Sequence, residues 1–179
     1  MKVLFVCTGN ICRSPMGELL LPHYLPEPDI TADSAGIRGL DHHPIDPSSA
    51  RLMTQAGIDP SEFRSKRVTP LLADSSDLIL CFEPRQRQDV ATIAPRAGRR
   101  TFLLADFANM CAYCAKEGYI EGSTRAERLE SVIDNASLIR PMLPAPMTIE
   151  DPHHREFAAF QRSYDQICRA LTIIAKTTA

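Results

Sequence analysis

No apolar run in this 179-residue chain approaches the ~20 residues needed to cross a bilayer, which excludes a transmembrane helix. Neither sign of charge prevails. Lys and Arg number 20 against 22 Asp and Glu, a net charge of −2 with a pI near 6.2, which argues against nucleic-acid binding by bulk electrostatics. The only apolar stretch at the N-terminus, Val3 to Val6, is too short for the core of a signal peptide. The expectation is therefore a cytoplasmic protein in a reducing compartment, with six cysteines that are thiols and not a disulfide framework. There is no internal repeat and no low-complexity tract, and 44% hydrophobic with 23% charged residues is an ordinary globular balance. At roughly 150 residues per domain, the length predicts a single domain over 1–179 with room for an insertion.

What is present alternates between strand and helix patterns. Val3-Leu4-Phe5-Val6 is the continuous apolar run of a strand buried on both faces. After the polar loop Cys7–Ser14, Pro15 to Leu21 reads as a helix with its proline in the first turn, where a missing N–H costs nothing. Ile30-Thr31-Ala32 leads into Asp33-Ser34-Ala35-Gly36 as a second strand. Asp46-Pro47-Ser48-Ser49 supplies a capped helix start, and Gly57 its stop. Asp77–Phe82 and Thr101–Leu104 give a third and a fourth strand. Phe157, Phe160, Tyr164, Ile167, Leu171 and Ile174 recur at three- and four-residue intervals on one face of a C-terminal helix. This order predicts the α/β class, a small doubly wound, flavodoxin-like domain with a four-stranded parallel sheet and helices on both faces. In such sheets ligands bind beyond the carboxyl ends of the strands, where the loop after Val6 falls. The segment at about 107–146 fits least. It predicts one amphipathic helix from Thr124 to Ile139, then a stiff link at Pro141, Pro144 and Pro146.

The loop Cys7-Thr8-Gly9-Asn10-Ile11-Cys12-Arg13-Ser14 has the make-up of a cradle for a tetrahedral anion. Backbone N–H groups of a tight loop converge on one point, and the following helix adds positive potential there. Arg13 brings a fork that matches two phosphate oxygens, and Gly9 permits the tight turn. A thiolate at Cys7, beneath the anion, is stabilised by the same field and placed for in-line attack on a phosphoryl group. No Gly-Lys-[Ser/Thr] follows, so this is not a nucleotide-binding loop. Asp151 before Pro152 sits in a rigid extended turn and suits a general acid, since cleaving a phosphate ester needs a proton on the departing oxygen. An ordinary loop break before a helix would look the same.

Val6 to Pro15 resembles the signature of the low-molecular-weight protein tyrosine phosphatases. Asp33-Ser34-Ala35-Gly36, Asp77–Phe82 and Glu150-Asp151-Pro152 with the helix beyond resemble that family's second strand, third strand and acid loop, in order. The resemblance covers nearly the whole chain apart from the stretch after Asp106. It implies Cys7 as nucleophile, Arg13 as phosphate ligand and Asp151 as the acid that later activates water. Thr8, Gly9, Asn10, Ile11, Cys12 and Ser14 would line the phosphate, with Ser14 stabilising the departing thiolate. Asn10 and Ser34 would hold the loop in shape. The implied substrate is a phosphotyrosine protein or a small aryl phosphate, with no metal, cofactor, nucleic acid or membrane partner. The resemblance also implies a protective Cys7–Cys12 disulfide under oxidation.

The chain departs from the family pattern around the cleft. His153 and His154 stand where tyrosines are usual, Leu40 replaces an aromatic, and Phe63 lies near a common histidine position. Leu40, His153 and His154 are the expected substrate-cleft wall, although two histidines in a loop also read as plain solvated residues. Relatives acting on phosphoarginine carry threonine where Ile11 stands, so Ile11 favours an aryl ester. Cys111 and Cys114 lack a second pair for a zinc site and share a helix face with Ala108, which suits packing. Cys81 and Cys168 fall in apolar patterns and are expected to be buried. Two rival functions are a thiol-linked arsenate reductase, which needs closely spaced extra cysteines after the third strand, and a catalytically silent phosphopeptide-binding protein, in which loss of a catalytic residue is expected.

Overall fold

The computed structural model describes residues 1–179. Strands β1 (Lys2–Cys7), β2 (Thr31–Gly36), β3 (Leu78–Cys81) and β4 (Thr101–Leu103) form one sheet in the order β2-β1-β3-β4, every pairing parallel. The helices are α1 (Arg13–Tyr24), α2 (Pro47–Gln55), α3 (Pro70–Asp74), α4 (Pro84–Ile93), α5 (Leu104–Glu117), α6 (Arg125–Ile139) and α7 (Phe157–Thr177). Side chains alternate across a strand, so Val3, Phe5 and Cys7 join a core of 33 buried residues that takes in side chains of β3 and β4 on that face and those of α1, α2, α5, α6 and α7. Leu4 and Val6 face a second core of 11, with Ala73 of α3 and Val90 of α4. Helices thus cover both faces, as the alternation of patterns predicts, and β1 runs through the middle with its carboxyl end at Cys7. No helix is long and apolar enough to cross a membrane.

Local chemistry sets most boundaries. Asp46 caps α2 by accepting from the Ser48 N–H at 2.9 Å, Pro47 opens that helix, and Gly57 follows it at φ +78°. The fourth strand is one residue shorter than its apolar run suggests, because Leu104 already begins α5. The stretch 107–146 holds two helices where the pattern predicts one. α6 matches its expected span and starts with a reciprocal Thr124–Glu127 capping box. α5 buries Leu104, Phe107, Ala108, Met110, Cys111 and Cys114 and lacks a start signal, because the apolar run of β4 continues from Leu103 into Leu104 with no capping side chain. Cys111 and Cys114 are buried in it beside Ala108, and Cys81 is buried in β3. Cys168 corrects the expectation of burial. It is only half-buried, since a step of one residue from Ile167 rotates it about 100° off the buried stripe of α7.

Candidate active site

β1 ends at Cys7 and α1 begins at Arg13, so the five intervening residues turn tightly at the carboxyl edge of the sheet. The Cys7 Sγ lies 2.9 Å from the Ser14 hydroxyl and accepts the Asn10 N–H at 3.3 Å. Asn10 holds the loop from inside. Its Nδ2 donates to Ser14 Oγ at 2.9 Å and to Ser34 Oγ at 2.8 Å, and its Oδ1 accepts the Lys66 N–H at 2.8 Å. Ser34 in turn donates to Glu18. Burial pushes the Glu18 carboxyl above its ordinary range; the Ser34 bond opposes this, Asp33 adds to it and Lys66 opposes it. Gly36 lets β2 end against this loop, because a Cβ there would lie 2.8 Å from the Thr8 carbonyl.

Arg13 is 1% exposed, lying with its guanidinium carbon 5.7 Å from the centre of the Phe82 ring. Its Nη1 donates to Glu83 and, at 2.8 Å, to the Ile149 carbonyl; Nη2 lies 3.3 Å from Asp151 Oδ2. Its Nε is buried with no protein acceptor. A buried guanidinium N–H without a partner is costly, and an anion in the loop is the chemistry that relieves it. Gln86 joins two loops by accepting from the Phe82 and Glu83 N–H groups and donating to Thr8 Oγ1 at 3.2 Å.

Asp151 arrives from the far end of the chain, anchored by the Ile149 N–H on the Phe82 carbonyl at 3.0 Å and by Ser163 Oγ on the Glu150 carbonyl at 2.9 Å. Its side chain is 46% exposed, and Oδ1 accepts the His153 N–H at 3.1 Å. The structure therefore brings Cys7, the loop, Ser34 and Asp151 to one place. His153 lies beside Cys12, and the His154 ring is 3.7 Å from it. Leu40 is 57% exposed and follows Gly39, whose Cβ position would be 3.0 Å from the Gly9 carbonyl. Phe63 is buried in the larger core. Burial pushes the Cys12 thiol well up; Asp46, Cys7 and Asp151 reinforce this and Arg13 opposes it. Cys7 and Cys12 are both free thiols here.

Sequence reasoning missed Glu83, Gln86, Glu18 and Lys66. For the first two a signal existed: Glu83-Pro84 stands at the carboxyl end of the third strand as a helix start, with Gln86 at the capping-box position. Glu18 and Lys66 carry no local mark.

A family model described as low molecular weight phosphotyrosine protein phosphatase matches residues 2–135. That span takes in the Cys7–Ser14 loop, Ser34 and Glu83, and stops short of Asp151. The chain is 40% identical over 104 residues to the probable low molecular weight protein-tyrosine-phosphatase EpsP of Ralstonia nicotianae, covering 58% of this chain and 70% of that protein. Among solved structures, it is similar to the tyrosine phosphatase Wzb of Escherichia coli K30 in complex with sulphate (26% identity, TM-score 0.73, 99% of this chain and 98% of that one). It is similar also to Vibrio vulnificus Wzb in complex with benzylphosphonate (27%, 0.71, 98% and 97%). With the family model spanning most of the chain and EpsP 40% identical over 104 residues, the chain belongs to the low molecular weight phosphotyrosine protein phosphatase family, a family of hydrolases.

Proposed function

We propose that residues 1–179 work as one phosphatase domain hydrolysing phosphotyrosine-type aryl phosphate monoesters through a cysteinyl-phosphate. In the first step the Cys7 sulfur forms a bond to phosphorus as the ester P–O bond breaks, and Asp151 gives its proton to the departing phenolate oxygen. In the second, the Asp151 carboxylate takes a proton from water as that oxygen attacks phosphorus. The S–P bond breaks, and Cys7 leaves as a thiolate held by the Ser14 hydroxyl and the Asn10 N–H. Arg13, the loop N–H groups of Thr8 to Cys12 and the helix start stabilise the equatorial oxygens throughout. The single observation that carries this reading is Arg13: buried, with one N–H unpartnered, and already 3.3 Å from Asp151.

Leu40, His153 and His154 are the proposed cleft wall, and the substrate is a phosphotyrosine protein or a small aryl phosphate. The benzylphosphonate bound to the V. vulnificus relative pairs a phenyl ring with a phosphate-like group. A thiolate nucleophile suits a reducing compartment, and we place the protein in the cytoplasm. A reductase cascade is disfavoured because Cys81, Cys111 and Cys114 are enclosed by their cores.

The test is aryl phosphate hydrolysis from about pH 4 to 8 by the wild type, Cys7→Ser and Asp151→Asn. Turnover is expected to vanish in Cys7→Ser and to fall about 10²-fold or more in Asp151→Asn. A wild type that binds phosphate without turnover would leave the silent binding protein. Turnover of arsenate with a thiol reductant, and of no ester, would make the chain a reductase.

A further inference from the structure

Three side chains from distant parts of the chain meet beside the phosphate loop, and neither bond making nor proton transfer in the proposed hydrolysis uses their thiol, carboxylate and imidazole groups. Cys12 Sγ, Asp46 Oδ2 and His153 Nδ1 all lie within 4.8 Å of one another. Cys12 Sγ is 3.9 Å from His153 Nδ1, and that nitrogen is 4.0 Å from Asp46 Oδ2. Cys12 stands just before α1, Asp46 caps α2, and His153 follows Asp151 in the acid loop. Each turns an atom that can ligate a metal toward the shared space. Asp46 spends Oδ1 on the Ser48 N–H and turns Oδ2 to the cluster. His153 turns Nδ1 inward while its main-chain N–H holds Asp151. Cys12 is buried, but the His153 side chain is 38% exposed, so the cluster is reachable from solvent on one side.

We propose that Cys12, Asp46 and His153 form a Zn²⁺ site that regulates the enzyme. A thiolate, an imidazole and a carboxylate are a zinc ligand set, whereas Mg²⁺ and Ca²⁺ take oxygen ligands. Zn–S near 2.3 Å and Zn–N or Zn–O near 2.0–2.2 Å place tetrahedral ligand atoms about 3.4–3.6 Å apart. The two separations from His153 Nδ1 are longer than this by about half an ångström, and Cys12 and Asp46 lie within 4.8 Å, so closing the site takes small rotations of both the exposed His153 ring and the Asp46 carboxylate. On binding, the Cys12 S–H bond is replaced by S–Zn and its proton goes to solvent; water takes the fourth position. The metal ties the loop carrying Asp151 to α1 and α2 and occupies His153, a proposed wall residue. Slower turnover follows from that, an effect that rests on the phosphatase reading; the binding itself does not.

Zn²⁺ calorimetry separates the two. The parent is the Cys7→Ser protein, so that the nucleophile is unavailable as a ligand. It is expected to bind one Zn²⁺, and adding Asp46→Asn or His153→Ala is expected to weaken binding about tenfold or more. Asn keeps the α2 cap, so that variant tests ligation without unfolding the helix. Loading with Co²⁺ is expected to give a thiolate-to-cobalt charge-transfer band that disappears in Cys12→Ala. No binding by the parent, or binding indifferent to both Asp46→Asn and His153→Ala, overturns the site. Zn²⁺ is then added to the wild type during turnover. Inhibition that needs about tenfold more metal in Asp46→Asn supports the regulatory effect. Equal inhibition of the two proteins puts the metal on Cys7 and overturns that effect. A wild type with no turnover refutes the phosphatase reading, and calorimetry still decides the site.

Discussion

Asn10 sits at φ 55°, a left-handed backbone that few side chains tolerate and asparagine tolerates better than most. Its three side-chain hydrogen bonds to Ser14, Ser34 and Lys66 are the reason to keep it there. Asn10→Ala should lower stability by about 1–3 kcal/mol and slow aryl phosphate turnover about tenfold or more. Asn10→Gly relieves the backbone and still loses the bonds, so urea unfolding and kinetics should show a loss there too. A neutral Gly variant would mean that only the backbone conformation matters. Glu18 yields a pH prediction. Its folded-state pKa is raised, chiefly by burial, so its contribution to stability is complete below the unfolded value and is lost as pH rises through the folded one. Relative to wild type, the melting temperature of Glu18→Gln should therefore be higher at about pH 7 than at about pH 4.

At the scale of elements, α1 carries Arg13 and its placement depends on Gly17. A Cβ at Gly17 would fall 2.5 Å from the Phe5 ring, which the sheet holds in the larger core. Gly17→Ala should cost about 1–3 kcal/mol, although alanine is the better helix former by about 1 kcal/mol. The expected result is a lower urea midpoint together with reduced turnover, because the displaced helix moves Arg13. Elements with a sharp chemical start were legible in the sequence: β1 by its apolar run, α2 by Asp46-Pro47 and α7 by its stripe. α5 showed only in the shared helix face of Ala108, Cys111 and Cys114; its start did not, because the apolar run of β4 passes from Leu103 straight into Leu104 with no capping side chain.

Across the whole molecule, the α5–α6 pair is tied together by an ion pair whose partners lie far apart in sequence. Asp106 in the first turn of α5 is almost fully buried, and Arg140 just beyond α6 reaches it at 2.6 Å. Burial pushes the Asp106 carboxyl upward, with Arg140 as the main opposing influence. Arg140→Ala leaves that carboxylate alone and should destabilise the protein by about 1–3 kcal/mol. Adding Asp106→Asn should recover part of the loss, and a double-mutant cycle in urea measures the coupling.

The contiguous part of the site was readable from the chain alone, because strand, loop and helix follow one another within Lys2–Tyr24 and their joint geometry is local. Cys7 ends β1, and Arg13 and Ser14 open α1. Only the tertiary structure decided which distant groups complete the site. Glu83 reaches Arg13 because β3 delivers its carboxyl end beside that of β1, while Ile149 and Lys66 come from the α6–α7 and α2–α3 links, which cross the same edge and bond there to the Phe82 carbonyl and the Gly36 N–H. The meeting of Cys12, Asp46 and His153 has the same origin: residues with no local relation become neighbours when helices pack over a common sheet.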